Sequence, residues 1–439
     1  MLFKKINRND LSFKTLKILF LRVIGVILLF GLTLFLTNNF EPDTVGRYDF
    51  LRTMIFVFSA LILLGTEQSI LYFAGTNSEN TEALNVVYVK MISLILIAYA
   101  FLLVPFFFLN KEFINNYFND NNSYSLIIKC IIILPFYAIS ILNFEMLRAV
   151  GKISIAEFYR NIVKYTPFLI CAISIVILEK KELLINTYLF SFLVVALISS
   201  THLYIQILSK KKSKFKNHNF TKKRIFLKSF PMALSGIGFF LLQSIDVFLI
   251  KKYINNEAVA FYSIAVKLVL ILIMIVNAVN ISLASKIAEL YNKNNIEELQ
   301  KNITKASKIM TLISFLTAIP LVFLSDYILL IFGYDYLVAK NSLILMIIAQ
   351  SCSSIFGVSA VYLNMTKKQH YFQFILLSAV VINLILNVYL IPLYGIFGAS
   401  ISFSISVLYW NISSAVLIYI KDKIVLFPWT KNKLANHEN

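Results

Sequence analysis

The chain has 439 residues, 59% of them hydrophobic and only 14% charged, with a net charge of +19 and a mean hydropathy of +0.78. A soluble domain carries roughly a quarter charged residues, so this composition excludes a water-soluble globular protein and requires an integral membrane one. Cys130, Cys171, Cys352, His202, His218, His370 and His437 are scattered, which gives no disulfide framework and no metal site.

A spanning helix needs about 20 mostly apolar residues. In chain order the sequence predicts twelve spans, at 16–37, 50–74, 85–109, 124–145, 155–178, 184–208, 229–250, 257–284, 304–325, 340–364, 369–391 and 395–420. The runs are continuously apolar, without the alternation of a barrel strand, so the fold class is all-α membrane protein. Met1–Thr15 is basic, but the run after it is long and lacks a small-residue cleavage site. It reads as the first span rather than a cleaved signal peptide. Between spans six and seven lies the densest basic patch, Lys210-Lys211-Lys212-Ser213-Lys214-Phe215-Lys216 followed by Lys222-Lys223-Arg224. It divides the chain into a six-helix lobe (1–208), a basic linker (209–228), a second six-helix lobe (229–420) and a tail (421–439). The patch reads as an orientation signal or as a contact for anionic lipid headgroups. No nucleic-acid module accompanies it. Polar Ser285–Asn302 is expected to extend span eight as a surface helix. Pro105, Pro135, Pro167, Pro231 and Pro320 fall in or near spans, where each removes a backbone bond and favours a kink.

Orientation follows from the loops. With the N-terminus cytoplasmic, the inner segments hold 26 Lys and Arg and the outer loops 7, so both termini are expected inside. The halves also repeat. Thr44-Val45-Gly46-Arg47-Tyr48 enters span two as Ala258-Val259-Ala260-Phe261-Tyr262 enters span eight. Leu147–Lys152 and Leu363–Lys368 join spans four to five and ten to eleven. An even number of spans per half makes these parallel repeats, a design that transporters use to place substrate between two rocking lobes.

Cations embedded in the spans carry most of the functional information. Charge in hydrocarbon costs at least ~2.5–3.5 kcal/mol on insertion scales and therefore faces a protein interior or an aqueous cavity. Lys17, Arg22, Arg52, Lys90, Lys129, Arg160 and Lys164 lie in the first half and only Lys267 in the second, which suggests passage for something anionic. Lys17, Arg22, Arg52, Lys90 and Lys129 lie within about five residues of a span end, ~8 Å, and are open to snorkelling. Arg160 and Lys164 sit four apart on one helical face, and Lys164 and Lys267 are deep enough for a cavity role. Glu67 and Asp246 are embedded acids, read either as couplers of proton or sodium movement or as ion pairs with a lysine. Glu145 and Glu157 are expected near the inner surface. Asn277 and Asn280 share a face, for the cavity or for helix–helix bonding.

Four stretches carry a family likeness: Pro231-Met232-Ala233-Leu234-Ser235-Gly236 with Gln243-Ser244-Ile245-Asp246; Ala260–Leu268; Ile331–Ala339; and Ile391-Pro392-Leu393-Tyr394-Gly395-Ile396-Phe397-Gly398-Ala399-Ser400. At these residues the chain resembles the polysaccharide or O-antigen flippases (Wzx type) of the multidrug/oligosaccharidyl-lipid/polysaccharide exporter superfamily. The family often has a basic residue after the span-seven aspartate, where this sequence has Val247, so a role for that charge does not transfer. The resemblance implies a flippase of a bacterial inner membrane. Its cargo would be a polyprenyl-diphosphate-linked oligosaccharide (an O-antigen, capsule or exopolysaccharide unit, the first of these destined for lipopolysaccharide), passed from cytoplasmic to outer leaflet by alternating access and handed to downstream polymerase or export proteins. Lys and Arg suit its pyrophosphate, and Arg pairs with it bidentately. No covalent chemistry and no cofactor are expected, beyond a proton or sodium couple.

Three other readings remain. A drug/cation antiporter of the same superfamily needs acids and aromatics, against a first half rich in cations. A lipid-linked peptidoglycan precursor flippase usually has two further helices. A membrane-embedded glycan polymerase or ligase needs a large outer loop with catalytic groups, whereas the longest here are about 15 residues, at 110–123 and 326–340. No Gly-rich nucleotide loop points to an ATP-driven pump.

Overall fold

The computed structural model describes residues 8–76, 81–205 and 220–429, and these are almost wholly helical. The basic run 210–216 lies outside them. Ten helical segments are long and apolar enough to cross a membrane. The pair α2 (Pro42–Leu63) and α3 (Thr66–Thr76) makes another span, bent by 46°. The bend falls at Leu64 and Gly65, both at positive φ. The last segment counts twice, because it runs from Gln369 to Asp422 through a non-helical Gly395 (φ 60°, ψ −138°). The result is twelve spans among the described residues, six in each half of the chain.

In the first half the remaining helices are α1 (Arg8–Asn39), α4 (Thr81–Phe107), the short α5 (Lys111–Phe118), α6 (Ser123–Ala149), α7 (Ile153–Phe158), α8 (Thr166–Ile177) and α9 (Leu184–Leu203). The fifth span is not one helix: a π-turn over Tyr159–Val163 joins α7 to α8, and Pro167 sits in the first turn of α8. The loop 110–123 folds into α5, whose N-cap Asn110 accepts from the Glu112 amide at 3.0 Å. In the second half stand α10 (Lys222–Leu242), α11 (Ile245–Tyr253), α12 (Asn256–Asn292), α13 (Ile296–Phe323), α14 (Ser325–Phe332), α15 (Lys340–Ser353), α16 (Ser359–Met365) and α17 (Gln369–Asp422).

The polar stretch 285–302 departs from expectation. Span eight extends only to Asn292, and from Ile296 onward the chain already belongs to α13, capped by Asn295 on the Glu298 amide at 3.1 Å. The reason is burial: Ile287, Leu290, Leu299 and Ile303 face one apolar core with Tyr362 and Phe372, which a free surface helix would leave wet.

The residues group into two compact units. One comprises Met1–Glu41 and Leu51–Ile237, the other Pro42–Phe50 and Gly238–Asn439. The stretch Pro42–Phe50 thus packs with the second unit. Gly46 lets it do so, since a Cβ there would stand 1.7 Å from the Asn256 carbonyl oxygen. Asn256 also donates from Nδ2 to Asp43 Oδ1 at 2.9 Å, and Phe50 meets Phe248 edge-on at 5.5 Å. Away from the cores, large apolar side chains are exposed, Phe107 and Phe108 each to 84%. Such surface belongs against lipid. The final span is rich in hydroxyls that bond within their own helix: Ser400, Ser402, Ser404 and Ser406 donate to the carbonyls of Ile396, Gly398, Ser400 and Ser402 at 2.7–3.0 Å.

Candidate functional site

Three of the embedded cations expected from the sequence, Arg52, Arg160 and Lys164, gather beside α6 in the first unit. Arg160 on the π-turn pairs with Glu145, and Lys164 donates from Nζ to the Tyr137 hydroxyl at 3.3 Å. Glu145 and Tyr137 both lie on α6, eight residues or about 12 Å apart, so both cations face that helix. The expected four-residue helical spacing is distorted by the π-turn, in which the Lys164 amide bonds back to the Tyr159 carbonyl. Lys164 is half-buried and lies over three rings, Phe56 at 4.9 Å, Tyr137 at 5.3 Å and Tyr165 at 5.7 Å. Arg52 stacks over the same Phe56 at 5.3 Å. Two cations therefore share one aromatic ring, an arrangement held by Phe56 stacking on Tyr137 at 5.8 Å. Lys164 makes no ion pair with a carboxylate among the described residues.

The other cations differ. Arg22 is held bidentately by Glu157, Nε to Oε2 at 3.1 Å and Nη2 to Oε1 at 2.8 Å, and Asn161 adds a bond to the same carboxylate at 3.0 Å. Glu145 and Glu157 are buried among these guanidinium groups, at 6% and 3% exposure; pairing with Arg is what makes that burial tolerable. Lys90 donates to the Phe220 carbonyl, which ties α4 to the start of α10, and Lys222 bonds Ser93 beside it. Lys129 is half-buried on α6, with no ion pair among the described residues, and Lys17 is exposed.

In the second unit Lys267 is buried against Asp49, Nζ to Oδ1 at 2.7 Å. Its charge is held by that carboxylate, so the cavity role expected of it gives way to a buried ion pair. Asp49 was not among the residues singled out, since it stands at the very start of an apolar run. Asp246 is almost fully buried and receives bonds from the Tyr262 hydroxyl and from Asn387 Nδ2, each at 2.5 Å, with Asn383 bonded to Asn387 at 3.1 Å. Two asparagines four apart inside an apolar span were the sequence signal for this cluster. Glu67 stands in the first turn of α3 with Oε2 buried and without a hydrogen-bond partner among the described residues. Neither Glu67 nor Asp246 meets a Lys or Arg there. No cluster of three or more His, Cys, Asp or Glu suited to a metal occurs among the described residues.

Twelve spans in two six-span halves, with cations set among aromatic rings inside the apolar region, define a multi-pass transporter-type membrane protein. The polysaccharide biosynthesis protein family model matches residues 13–284 and the MatE model residues 231–389. The chain belongs to the polysaccharide biosynthesis protein family, within the multidrug/oligosaccharidyl-lipid/polysaccharide exporter superfamily. Among characterised proteins it is similar to the probable low-salt glycan biosynthesis flippase Agl15 of Haloferax volcanii, 28% identical over 202 residues. That match covers 45% of this chain and 41% of the relative, so it spans well under half of the relative's length. Among solved structures, the lipid II flippase MurJ in an inward closed conformation superposes with a TM-score of 0.72 at 14% identity, over 92% of this chain and 87% of the other. An inward-facing multidrug resistance MATE family transporter gives 0.71 at 15% identity, over 91% and 93%. At these identities the structural likeness establishes the fold alone.

Proposed function

We propose that this protein is a flippase that carries a polyprenyl-diphosphate-linked oligosaccharide from the cytoplasmic to the outer leaflet by alternating access, without covalent chemistry. The observation that carries the reading is Lys164, an ammonium placed among aromatic rings and not neutralised by a carboxylate, with Arg52 on the same ring and Arg160 beside it. A pyrophosphate crossing ~30 Å of hydrocarbon needs countercharge along its way, and such a cluster supplies it. Family membership and the glycan flippase relative support a lipid-linked glycan as the cargo. The lipid tail stays in the bilayer, and both termini lie in the cytoplasm.

The coupling ion, a proton or sodium, is assigned to Asp246, where two amides and a phenol gather around one carboxylate in an apolar span. Glu67, with its unbonded oxygen, is the second position.

The test is reconstitution into vesicles carrying a fluorescent polyprenyl-diphosphate oligosaccharide, with a membrane-impermeant reagent reporting the exposed leaflet. The expected result is protein-dependent exchange between leaflets that inorganic pyrophosphate competes. Absence of exchange, together with export of a cationic dye by the same vesicles, would replace this reading with a drug antiporter.

A further inference from the structure

We infer that the second unit contains a separate sugar-binding subsite, which takes a neutral pyranose ring of the transported glycan; the inference rests on the flippase reading and adds a site to it. The site is a cavity of about 250 Å3, large against the ~10–15 Å3 that one water needs. It is lined by residues from the spans that carry α10–α11, α12, α15–α16 and the second part of α17.

Its chemistry is selective. Five carboxamides converge on it: Gln243 at the break between α10 and α11, Asn277 and Asn280 one turn apart on α12, Gln350 on α15 and Asn411 on α17. Among the described residues no Asp, Glu, Lys, Arg or His lines it, which disfavours both a pyrophosphate and a cationic drug as occupants. A carboxamide offers two donors and an acceptor in one plane, the complement of adjacent hydroxyl groups. One of these groups is waiting for a partner. Asn280 spends its Nδ2 on the Gly357 carbonyl at 2.9 Å, while its Oδ1 is buried and unbonded. Gln243 and Asn277 are exposed and meet an incoming ligand first.

The cavity also has an aromatic wall. Trp410 lines it half-exposed, and its ring is braced edge-on by Phe239 at 5.8 Å and Phe372 at 6.0 Å. A fixed indole face fits the C–H face of a pyranose, and amides around it take the hydroxyl rim. A purely apolar ligand would leave the Asn280 oxygen unpaired, at a cost that a hydroxyl removes.

The experiment uses the full-length chain in proteoliposomes free of glycoside detergent. The sequence has two tryptophans, so Trp429→Phe leaves Trp410 as the sole reporter. Methyl glycosides of a hexose and of an N-acetylhexosamine are titrated, with a permethylated glycoside and inorganic pyrophosphate as controls. The expected result is a saturable change in Trp410 emission with at least one free-hydroxyl glycoside, weakened at least tenfold in both Asn280→Leu and the exposed Asn277→Ala, and unaltered in Lys164→Ala. No saturable change, or equal binding of the permethylated sugar, overturns the subsite. Because the leaflet assay runs on the same vesicles, exchange with a silent Trp410 sinks the subsite and spares the flippase reading. Saturable sugar binding without any exchange upholds the subsite and sinks the flippase reading.

Discussion

An ammonium bedded on aromatic faces is stabilised by ~0.5–2 kcal/mol, enough to hold it in place yet far less than a buried carboxylate would bind it. On the flippase reading proposed above, Lys164 would exchange these partners for a phosphate oxygen of the cargo. Lys164→Ala is expected to lower leaflet exchange at least tenfold at equal protein level, and Lys17→Ala by less than twofold; equal loss in the two variants would remove the deep cationic site. Lys267 behaves oppositely, because its side chain and that of Asp49 are 4% and 1% exposed. Lys267→Ala strips the buried Asp49 carboxylate of this cation and is expected to lower thermal stability by an amount comparable to the ~3–5 kcal/mol that breaking a buried pair costs, most of it regained when Lys267→Met is combined with Asp49→Leu. The sequence exposes every such cation, since a charge in an apolar run needs no alignment to notice. It does not say which are already neutralised. Arg22 and Glu157 are 135 positions apart and Lys267 and Asp49 218, so pairing is a property of the fold and not of local spacing.

Hydropathy located the helices well and their interruptions poorly. The sequence separates spans eleven and twelve near Pro392–Gly395, and the structure makes that joint a single residue in a backbone region open to glycine. Gly395→Ala meets only ordinary contact, its Cβ 3.8 Å from Ile254 Cδ1, so its cost is conformational. We expect ~1–3 kcal/mol lower stability, read as a drop in the thermal midpoint. Gly31→Ala, in mid-helix with nothing within 4 Å of the added carbon, is expected to be neutral or slightly stabilising. The π-turn at Tyr159–Val163 was invisible beforehand because its residues are ordinary helix formers; one extra residue in a turn is settled by packing against α1 and α6.

At the scale of the molecule, twelve spans with most basic residues in alternate loops were legible because lipid demands both length and loop asymmetry. The cluster around Asp246 was half legible: Asp246 stood out, while Asn383 and Asn387 gained meaning only when the fold brought α11 to α17. If Asp246 couples an ion to transport, Asp246→Asn removes the dependence of exchange on an imposed proton or sodium gradient while leaving slow, gradient-independent exchange. A variant that still responds to the gradient moves the coupling to Glu67. The serine-rich final span bears on how such a molecule moves at all. Four of its hydroxyls, those of Ser400, Ser402, Ser404 and Ser406, are each bonded to a carbonyl one turn back, so at these positions a neighbouring helix that moved past would strand no donor. On the alternating-access reading proposed above, that row of small side chains would serve as a dry bearing: close-fitting, with its own bonds kept inside one helix.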